Sequence, residues 1–353
     1  MTMPDLLALQ IEPSTFCTLR CPTCPRTAFA KHWHNIHFPL AEIDKVAPLA
    51  ARAEIVLLQG WGEPLCHPEI DEIIRRLTEA GANCALTTNG CLLDDKRSEA
   101  LLEAGLAHLT VSISGATPET HAALRPPSDL HSLLERMRRF RQLADKMGKK
   151  PRLTLSFLQQ DANIHELPEV LALADRYGLD HCLAINATYL PTPDHAKQYV
   201  KRGLRTAWAT KRAFWKAIWS GREYTPAQTQ LRERDVCAND PLRCLTIGAD
   251  GSLSPCIFLQ LPLKSRPPQH PPLLVLGNIF QESIEDIWNS PAYRDFRRAF
   301  AIRRQLYDEL HEEILNSDDQ KQKTLEAPDR INRIFAANPV PAVCRQCAKM
   351  QGL

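Results

Sequence analysis

The order of apolar segments along this chain predicts an α/β fold whose parallel strands form an open, partial (β/α)6 TIM barrel. Short apolar runs alternate with helical patterns six times between residue 6 and about residue 195, and such alternation is typical of parallel sheets. A closed barrel of this kind needs eight units, so six units predict a barrel that stays open. The C-terminal third carries five further cysteines, which predicts a second, smaller domain after the barrel.

The strands and helices of the barrel are predicted from the period of their apolar residues. The predicted strands are Leu6–Ile11, Ile55–Leu58, Cys84–Thr87, Leu109–Ile113, Leu153–Phe157 and Cys182–Ile185. The predicted helices are Leu40–Ala50, Glu69–Ala80, Asp95–Ala104, Leu130–Met147 and His165–Tyr177. Leu130–Met147 has the clearest pattern, because its apolar residues recur every three or four positions and form one stripe. The predicted domains are the barrel at 1–195, a basic helical linker at 196–236 and the cysteine-rich domain at 237–353.

The composition is that of an ordinary globular protein and gives no global argument for nucleic acid or membrane as a partner. Of the 353 residues, 44% are hydrophobic and 24% charged, and the formal net charge is +2. The N-terminus lacks a basic-then-apolar signal sequence, and no apolar run approaches the length of a membrane span. We therefore expect a cytoplasmic protein, whose cysteines stay reduced and serve metals or catalysis rather than disulfides.

Three cysteines lie close together directly after the first predicted strand, in the stretch Cys17-Thr-Leu-Arg-Cys21-Pro-Thr-Cys24. Thiolates at this spacing on one loop can reach the same small metal centre. A [4Fe–4S] cluster has four irons that are normally all held by thiolates, so three cysteines leave one iron open for a ligand that is not protein. A zinc site is the alternative, although the histidines that follow, His32, His34 and His37, lack the spacing of a zinc finger.

The C-x3-C-x2-C triplet after a strand resembles the cluster motif of the radical S-adenosylmethionine (radical SAM) superfamily. The resemblance implies that the open iron chelates the amino and carboxylate groups of S-adenosylmethionine. The catalytic [4Fe–4S] cluster of that family cleaves this cofactor to a 5′-deoxyadenosyl radical, which takes a hydrogen atom from a substrate C–H bond. The resemblance also implies an electron donor of the flavodoxin or ferredoxin type. In this reading the protein positions and shields cofactors that supply the difficult chemistry.

Three more segments resemble motifs of the same family, and each follows a predicted strand. They are Gln59-Gly60-Trp61-Gly62-Glu63-Pro64 after the second strand, Thr88-Asn89-Gly90 after the third and Val111-Ser112-Ile113-Ser114-Gly115 at the end of the fourth. Trp61 stands where a glycine is common in the family, and Ser114 stands where an aspartate is usual. The resemblance implies cofactor contacts from Gly60, Gly62, Glu63, Asn89, Ser112, Arg125 and Asn163. Asn163, Asn186 and Tyr189 follow the fifth and sixth strands, where the ribose, adenine and substrate are expected.

The second cysteine group predicts another metal centre. Cys244 and Cys256 flank a predicted hairpin that turns at Asp250-Gly251, and Cys344-x-x-Cys347 closes the chain. The group resembles the SPASM/twitch extension of radical SAM enzymes, which implies one auxiliary [4Fe–4S] cluster on Cys244, Cys256, Cys344 and Cys347, with electron transfer as its task. Cys237 is a fifth candidate that could replace one of the four. A zinc ribbon remains an alternative, because four thiolates also suit tetrahedral zinc.

Several other segments carry weaker signals. Lys197–Lys216 holds seven basic residues and no acidic one, interleaved with aromatic residues, which predicts either a solvated linker helix or a cradle for an acidic substrate. Residues 297–340 read as a charged helical insertion, and Pro262–Pro272 reads as a stiff loop. The scattered cysteines are Cys66, Cys84, Cys91 and Cys182. We expect all four to be buried structural thiols, although Cys66 and Cys91 follow loops that face the site.

Three functions compete at this point. The resemblance favours a radical SAM enzyme that dehydrogenates or epimerises a sugar-like alcohol in natural-product or cofactor biosynthesis. A maturase that crosslinks or oxidises a ribosomally made peptide is the alternative. It ranks second because the chain enters its first strand at Leu6, without room for a leader-binding domain. A non-catalytic scaffold that binds zinc is the third. The sequence identifies no dedicated general base.

Overall fold

The computed structural model describes residues 3–189, 198–201, 203–228, 232–267 and 272–352 of the chain. Within these residues the strands form one ten-stranded sheet. In chain order, strands β1 to β10 are Leu6–Ile11, Ala53–Leu58, Cys84–Thr88, His108–Ile113, Arg152–Gln159, His181–Asn186, Glu223–Thr225, Cys244–Ile247, Ser252–Ser254 and Gly277–Asn278. Their order across the sheet is β10-β9-β8-β1-β2-β3-β4-β5-β6-β7.

The helices lie between the strands and after them. In chain order, helices α1 to α11 are Pro25–Ala28, Ile43–Ala50, Ile70–Glu79, Asp95–Glu103, Pro118–Leu124, Leu130–Lys146, Leu167–Arg176, Leu204–Ser220, Ile284–Asn289, Pro291–Leu315 and Gln320–Ala337. Short 3-10 helices occupy Leu40–Glu42, Pro64–Cys66, Ile164–Glu166, Ile257–Leu259 and Ala342–Cys344. No helix among the described residues is both long and apolar enough to cross a membrane.

The predicted fold class is confirmed, since the six predicted strands form the parallel run β1 to β6 in sequence order. The ends differ from the prediction by one or two residues. Strand β7 was missed. It lies inside the predicted linker and pairs parallel with β6, because a three-residue strand with the pattern Glu-Tyr-Thr has too little periodicity to stand out.

Strand β4 illustrates how the sheet divides its two faces. Leu109, Val111 and Ile113 are fully buried, whereas Thr110 and Ser112 between them are only half-buried. Successive side chains of a strand point to opposite faces, so the apolar set packs under the helices and the polar set points into the barrel. The interior of the barrel is therefore hydroxyl-rich around this strand and suits a polar ligand.

The C-terminal region joins the barrel through β8, which pairs parallel with β1 so that Ile247 lies opposite Ile11. Strand β9 then returns antiparallel to β8, which confirms the predicted hairpin. Gly251 in the turn has a φ of +76°, a conformation that glycine adopts at little cost. A Cβ at this position would also lie 2.7 Å from the ring of Phe280.

The predicted insertion at 297–340 is a pair of long helices, α10 and α11, which begins earlier than expected, at Pro291. Leu310 on α10 and Ile331 and Phe335 on α11 form their own small apolar cluster. Arg303 of α10 is fully buried beneath this pair. Its guanidinium donates to the carbonyls of Arg234, Asp235, Phe335 and Asn338 and to the carboxylate of Glu233.

The predicted basic linker contains helix α8, which presents an unusual exposed surface. Its buried face consists of small side chains, and it packs against α7. Its outer face carries Leu204, Trp208, Phe214, Trp215, Ile218 and Trp219, with exposed fractions between 45% and 82%. Lys197 and Arg202, two of the seven basic residues, lie outside the described residues, as do residues 268–271 of the predicted proline-rich loop.

We expect Arg303→Met to lower the free energy of unfolding by about 3 kcal/mol or more, because it leaves four backbone carbonyls without this donor. The loss can be measured as a lower urea midpoint of the helical circular dichroism signal. Arg298→Met, on the exposed side of the same helix, is the matched control and should leave the midpoint unchanged. Equal midpoints for the two variants would contradict a structural role for Arg303.

Candidate active site

The three N-terminal cysteines lie on the loop that leaves β1 at the carboxyl edge of the sheet. Cys24 is the N-cap residue of α1, and its carbonyl accepts hydrogen bonds from the amides of Thr27 and Ala28. The Cys17 thiol accepts from the Leu19 amide at 3.4 Å and from the Asn89 side chain at 3.6 Å. The loop is therefore held by short local contacts and by the Thr88-Asn89-Gly90 turn.

Burial raises the pKa of all three thiols, to about 12 for Cys24. A metal-bound cysteine must be a thiolate, so cations near the loop favour binding. Arg26 and Arg125 supply this charge, and both act on Cys21 to lower its pKa. Arg26 was missed at the sequence level, because only the fold of the loop brings its guanidinium beside the cysteines.

Gly60 and Gly62 allow a close approach between the loop after β2 and the chain that leaves β1. A Cβ on Gly62 would lie 2.1 Å from the Ser14 carbonyl oxygen, and one on Gly60 would lie 2.3 Å from the side chain of Glu12. Both glycines are therefore required by contacts within the protein, whatever ligand the loop binds. Their predicted contact with the cofactor stays a prediction.

Glu63 is fully buried and ties two of the predicted motifs together. Its carboxylate accepts hydrogen bonds from the Thr88 hydroxyl at 2.6 Å, the Asn89 amide at 2.7 Å and the Leu65 amide at 3.0 Å. Burial raises the pKa of the Glu63 carboxyl, whereas these hydrogen bonds and the nearby Arg125 act to lower it. The contacts support a positioning role for Glu63, and its predicted contact with the cofactor stays a prediction.

Glu12 is a site residue that the sequence analysis missed. It is fully buried just after β1, and one carboxylate oxygen accepts hydrogen bonds from the amides of Trp61 at 2.6 Å and Gly62 at 3.2 Å. Burial raises its pKa to about 7. Among the described residues its second oxygen has no hydrogen-bond partner. A single acid between two strands has no sequence pattern that would have indicated this position.

The loop after β4 is held by buried hydrogen bonds rather than left open. Asn163 donates to the carbonyls of Ser114 at 2.9 Å and Leu158 at 3.0 Å, and its side-chain oxygen accepts from the Gln160 amide. The Ser114 amide donates to the buried ring of His121. Asn163 is fully buried, and these contacts support a positioning role on Ser114, while its predicted cofactor contact stays a prediction.

The other predicted residues near the barrel mouth divide into two groups. Ser112 is half-buried on the inward face of β4, and the Nε atom of Arg125 is buried without a partner among the described residues. Asn186 is already engaged, because it accepts from Gln159 and donates to the Gln228 carbonyl. The hydroxyl of Tyr189 is also buried without a partner among the described residues. Ser112, Arg125 and Tyr189 therefore have free capacity for a ligand.

Trp61 connects the barrel mouth to the C-terminal region. Its indole N–H donates to the carbonyls of Gln260 at 2.7 Å and Ile257 at 3.2 Å. Its ring lies 4.6 Å from that of Tyr189 and 5.9 Å from that of Phe258, centroid to centroid. The replacement of glycine by tryptophan thus gives the cofactor loop a direct attachment to the segment after Cys256.

Four cysteines of the C-terminal region line one cavity of about 310 Å³. They are Cys237, Cys256, Cys344 and Cys347. The Cys256 thiol accepts hydrogen bonds from the Asn239 side chain at 2.9 Å and the Phe258 amide at 3.4 Å. The donor set of four thiols in one cavity fits a [4Fe–4S] cluster with complete protein ligation.

Cys244 does not line this cavity. It begins β8 opposite Ala8, and Asp240, Arg243 and the Cys256 thiol act on its thiol. The Cys237 thiol lines the cavity, and Cys256, Cys347 and Cys344 all act on it, which favours Cys237 as the fourth ligand, and the predicted ligand set that includes Cys244 stays a prediction. The hairpin spacing suggested Cys244 because position along the chain does not reveal which of two nearby thiols faces the terminal C-x2-C.

No three His, Cys, Asp or Glu side chains within the described ranges lie at the distances that a single metal ion requires. In a [4Fe–4S] cluster each thiolate binds a different iron, so the thiols stand farther apart than around one ion. The histidines weighed for zinc have other contacts: His32 bonds to Ser265, and His37 stacks on Phe16 at 4.6 Å.

The scattered cysteines lie in two kinds of place. Cys84 and Cys182 are buried in strands β3 and β6, as expected for structural thiols. Cys66 and Cys91 are half-buried at the site, where they interact electrostatically with Cys17 and Cys21 respectively.

Comparison with known protein families supports the assignment of both centres. Residues 11–174 match the family model of the radical SAM superfamily, and residues 237–310 match that of the SPASM iron–sulfur cluster-binding domain. Residues 11–174 therefore form a radical SAM domain, which a SPASM domain follows. It is an enzyme that uses S-adenosylmethionine, a catalytic [4Fe–4S] cluster and an auxiliary cluster. The scaffold interpretation is not supported.

Two curated relatives are similar over most of their length. The tungsten-containing aldehyde ferredoxin oxidoreductase cofactor-modifying protein of Pyrococcus furiosus is 24% identical over 85% of each chain. The PqqA peptide cyclase of Gluconobacter oxydans is 25% identical over 84% of this chain and 81% of its own.

Solved structures share the fold. Streptococcus suis SuiB bound to S-adenosylmethionine has a TM-score of 0.61 at 18% identity, over 84% of this chain and 68% of its own. Native anSMEcpe with bound AdoMet has a TM-score of 0.58 at 16% identity, over 83% of both chains.

We expect Cys237→Ala to lower the iron content of the anaerobically reconstituted protein from about eight to about four atoms per chain, because the auxiliary cluster loses a ligand. Cys244→Ala is the matched control and should keep about eight. Iron and sulfide analysis provides the measurement. About eight irons in Cys237→Ala and about four in Cys244→Ala would show that Cys244, and not Cys237, is the ligand.

Gly62→Ala should slow dithionite-driven release of 5′-deoxyadenosine by about 100-fold, since the added Cβ displaces the loop from Ser14 and small misplacements are costly in catalysis. Its iron content should stay unchanged. Gly203→Ala, where an added Cβ meets no atom within 4 Å, should release 5′-deoxyadenosine at the wild-type rate. A wild-type rate for Gly62→Ala would show that the close approach is dispensable.

Proposed function

We propose that this enzyme modifies a peptide, by removing a hydrogen atom from a side chain and forming a crosslink or an oxidised residue. The similarity to the PqqA peptide cyclase, which extends over 84% of this chain, is the observation that carries the proposal. It favours peptide modification over the dehydrogenation or epimerisation of a sugar-like alcohol, which was the first expectation from the sequence. The electron donor of flavodoxin or ferredoxin type remains part of the proposal.

The shape of the sheet is consistent with a long substrate. Among the described strands, β7 and β10 form two free edges, so the sheet does not close. A laterally open barrel can admit a side chain while the rest of a peptide stays outside. Helix α8 packs beside β7, and its exposed aromatic and basic side chains lie along that edge. Such side chains suit contact with an acidic or apolar peptide segment.

The residues of the site have separate roles in this proposal. Cys17, Cys21 and Cys24 hold the catalytic cluster, which together with S-adenosylmethionine supplies a 5′-deoxyadenosyl radical. Arg125 and Ser112 contact the cofactor, with Arg125 offering its guanidinium to the carboxylate. Glu12, Glu63 and Asn163 position the surrounding loops. Cys237, Cys256, Cys344 and Cys347 would hold the auxiliary cluster, which would supply an electron acceptor for the substrate.

The test is an anaerobic incubation of the reconstituted enzyme with S-adenosylmethionine, a reductant and each short peptide encoded beside its gene. A substrate peptide should accelerate 5′-deoxyadenosine release and should become lighter by two hydrogen atoms in the mass spectrum. One hydrogen atom leaves to 5′-deoxyadenosine, and the other leaves as a proton and an electron.

The Cys17/Cys21/Cys24→Ala triple variant is the control and should leave the peptide unchanged. If no peptide reacts while a sugar-like alcohol is dehydrogenated or epimerised, peptide modification is wrong and the first expectation returns. Release of 5′-deoxyadenosine by the triple variant would instead overturn the assignment of the catalytic cluster.

A further inference from the structure

Lys349 is placed unusually for a lysine, since its side chain lines the cavity of the four auxiliary cysteines. The other described residues that line this cavity include no Asp, Glu, His or Arg. Apart from the thiols, Lys349 therefore brings the only charged side chain to this part of the described structure. No described carboxylate forms an ion pair with it.

The backbone around Lys349 is anchored on both sides. The carbonyls of Met350 and Gln351 accept hydrogen bonds from the amides of Arg234 and Arg232, each at 2.9 Å. The Met350 amide donates to the Cys347 carbonyl at 3.0 Å, and the Met350 side chain is buried in the core. The turn is thus fixed to the segment that precedes Cys237, which holds the lysine side chain against the cavity.

A cluster bound to the four thiolates would bring negative charge into the cavity, and this charge needs a positive partner. A cluster core of charge 2+ with four thiolates carries a net charge of about −2, and reduction makes it more negative. The Lys349 side chain is half-buried in the cavity lining beside Cys237, Cys256 and Cys347. An ammonium group in a partly desolvated cavity interacts more strongly with such a charge than one in water.

We propose that Lys349 is the counter-charge of the auxiliary cluster and sets its reduction potential. By stabilising the reduced, more negative form, the ammonium group makes the cluster a better electron acceptor. The Asn239 side chain and the Phe258 amide, which donate to the Cys256 thiol, act in the same direction. The assignment depends on the auxiliary cluster and is independent of the substrate.

The experiment is a redox titration of the holoenzyme, followed by electron paramagnetic resonance of the auxiliary cluster. Lys349→Met should make reduction less favourable by at least about tenfold, which corresponds to about 59 mV for a one-electron couple. Lys349→Arg, which keeps the charge, should stay close to wild type. Arg345→Met is the matched control, because Arg345 follows Cys344 but is exposed and does not line the cavity.

Iron analysis will show whether Lys349→Met has lost the auxiliary cluster, in which case its potential cannot be measured. The potential is then measured on Lys349→Gln, which is neutral but can still donate a hydrogen bond. Loss of about four irons in both neutral variants, with retention in Lys349→Arg, would support a requirement for the charge. Unchanged potentials in the neutral variants, or cluster loss in Lys349→Arg as well, would overturn the proposal.

Discussion

The parallel pairing of β8 with β1 is the contact on which the arrangement of both metal centres depends. Backbone hydrogen bonds join residues 8–11 to residues 244–247, so the C-terminal region continues the sheet of the barrel. The strand that leads into the catalytic cysteines is therefore central, with β2 on one side and β8 on the other. Cys237 precedes β8 and Cys256 follows β9, so the hairpin beside β1 connects the auxiliary cavity to the strand that leads into the catalytic cysteines.

Trp61 adds a second connection between the two regions, and its local geometry explains why a tryptophan is accommodated between two glycines. The backbone on either side must approach Glu12 and Ser14 closely, which only glycine permits. The indole itself points away from that contact, toward the carbonyls of Ile257 and Gln260. The Trp61 side chain therefore links the loop after β2 to a segment beside the auxiliary cysteines. A displacement of the loop or of the segment is transmitted to the other.

Local sequence patterns predicted the barrel and the need for a catalytic cluster, because both depend on residues that are close in the chain. Strands β1 to β6 follow from apolar periodicity, and the C-x3-C-x2-C triplet places three thiols on one loop. The remaining site residues depend on contacts between distant segments. Glu12 becomes a site residue only when the loop of Trp61 folds over it. Cys237 joins Cys344 and Cys347 in lining one cavity only because the terminal turn packs there, and chain spacing carries no information about that packing.

The exposed face of α8 has an optical consequence. Three of the six tryptophans of the chain, Trp208, Trp215 and Trp219, stand on this one helix, with exposed fractions of 64%, 45% and 82%. The others are buried or half-buried. Indole emission shifts to longer wavelength in water, so the red side of the intrinsic fluorescence arises from a single surface at the β7 edge. A molecule that covers this surface would shift the emission to the blue, which makes the helix its own reporter of occupancy.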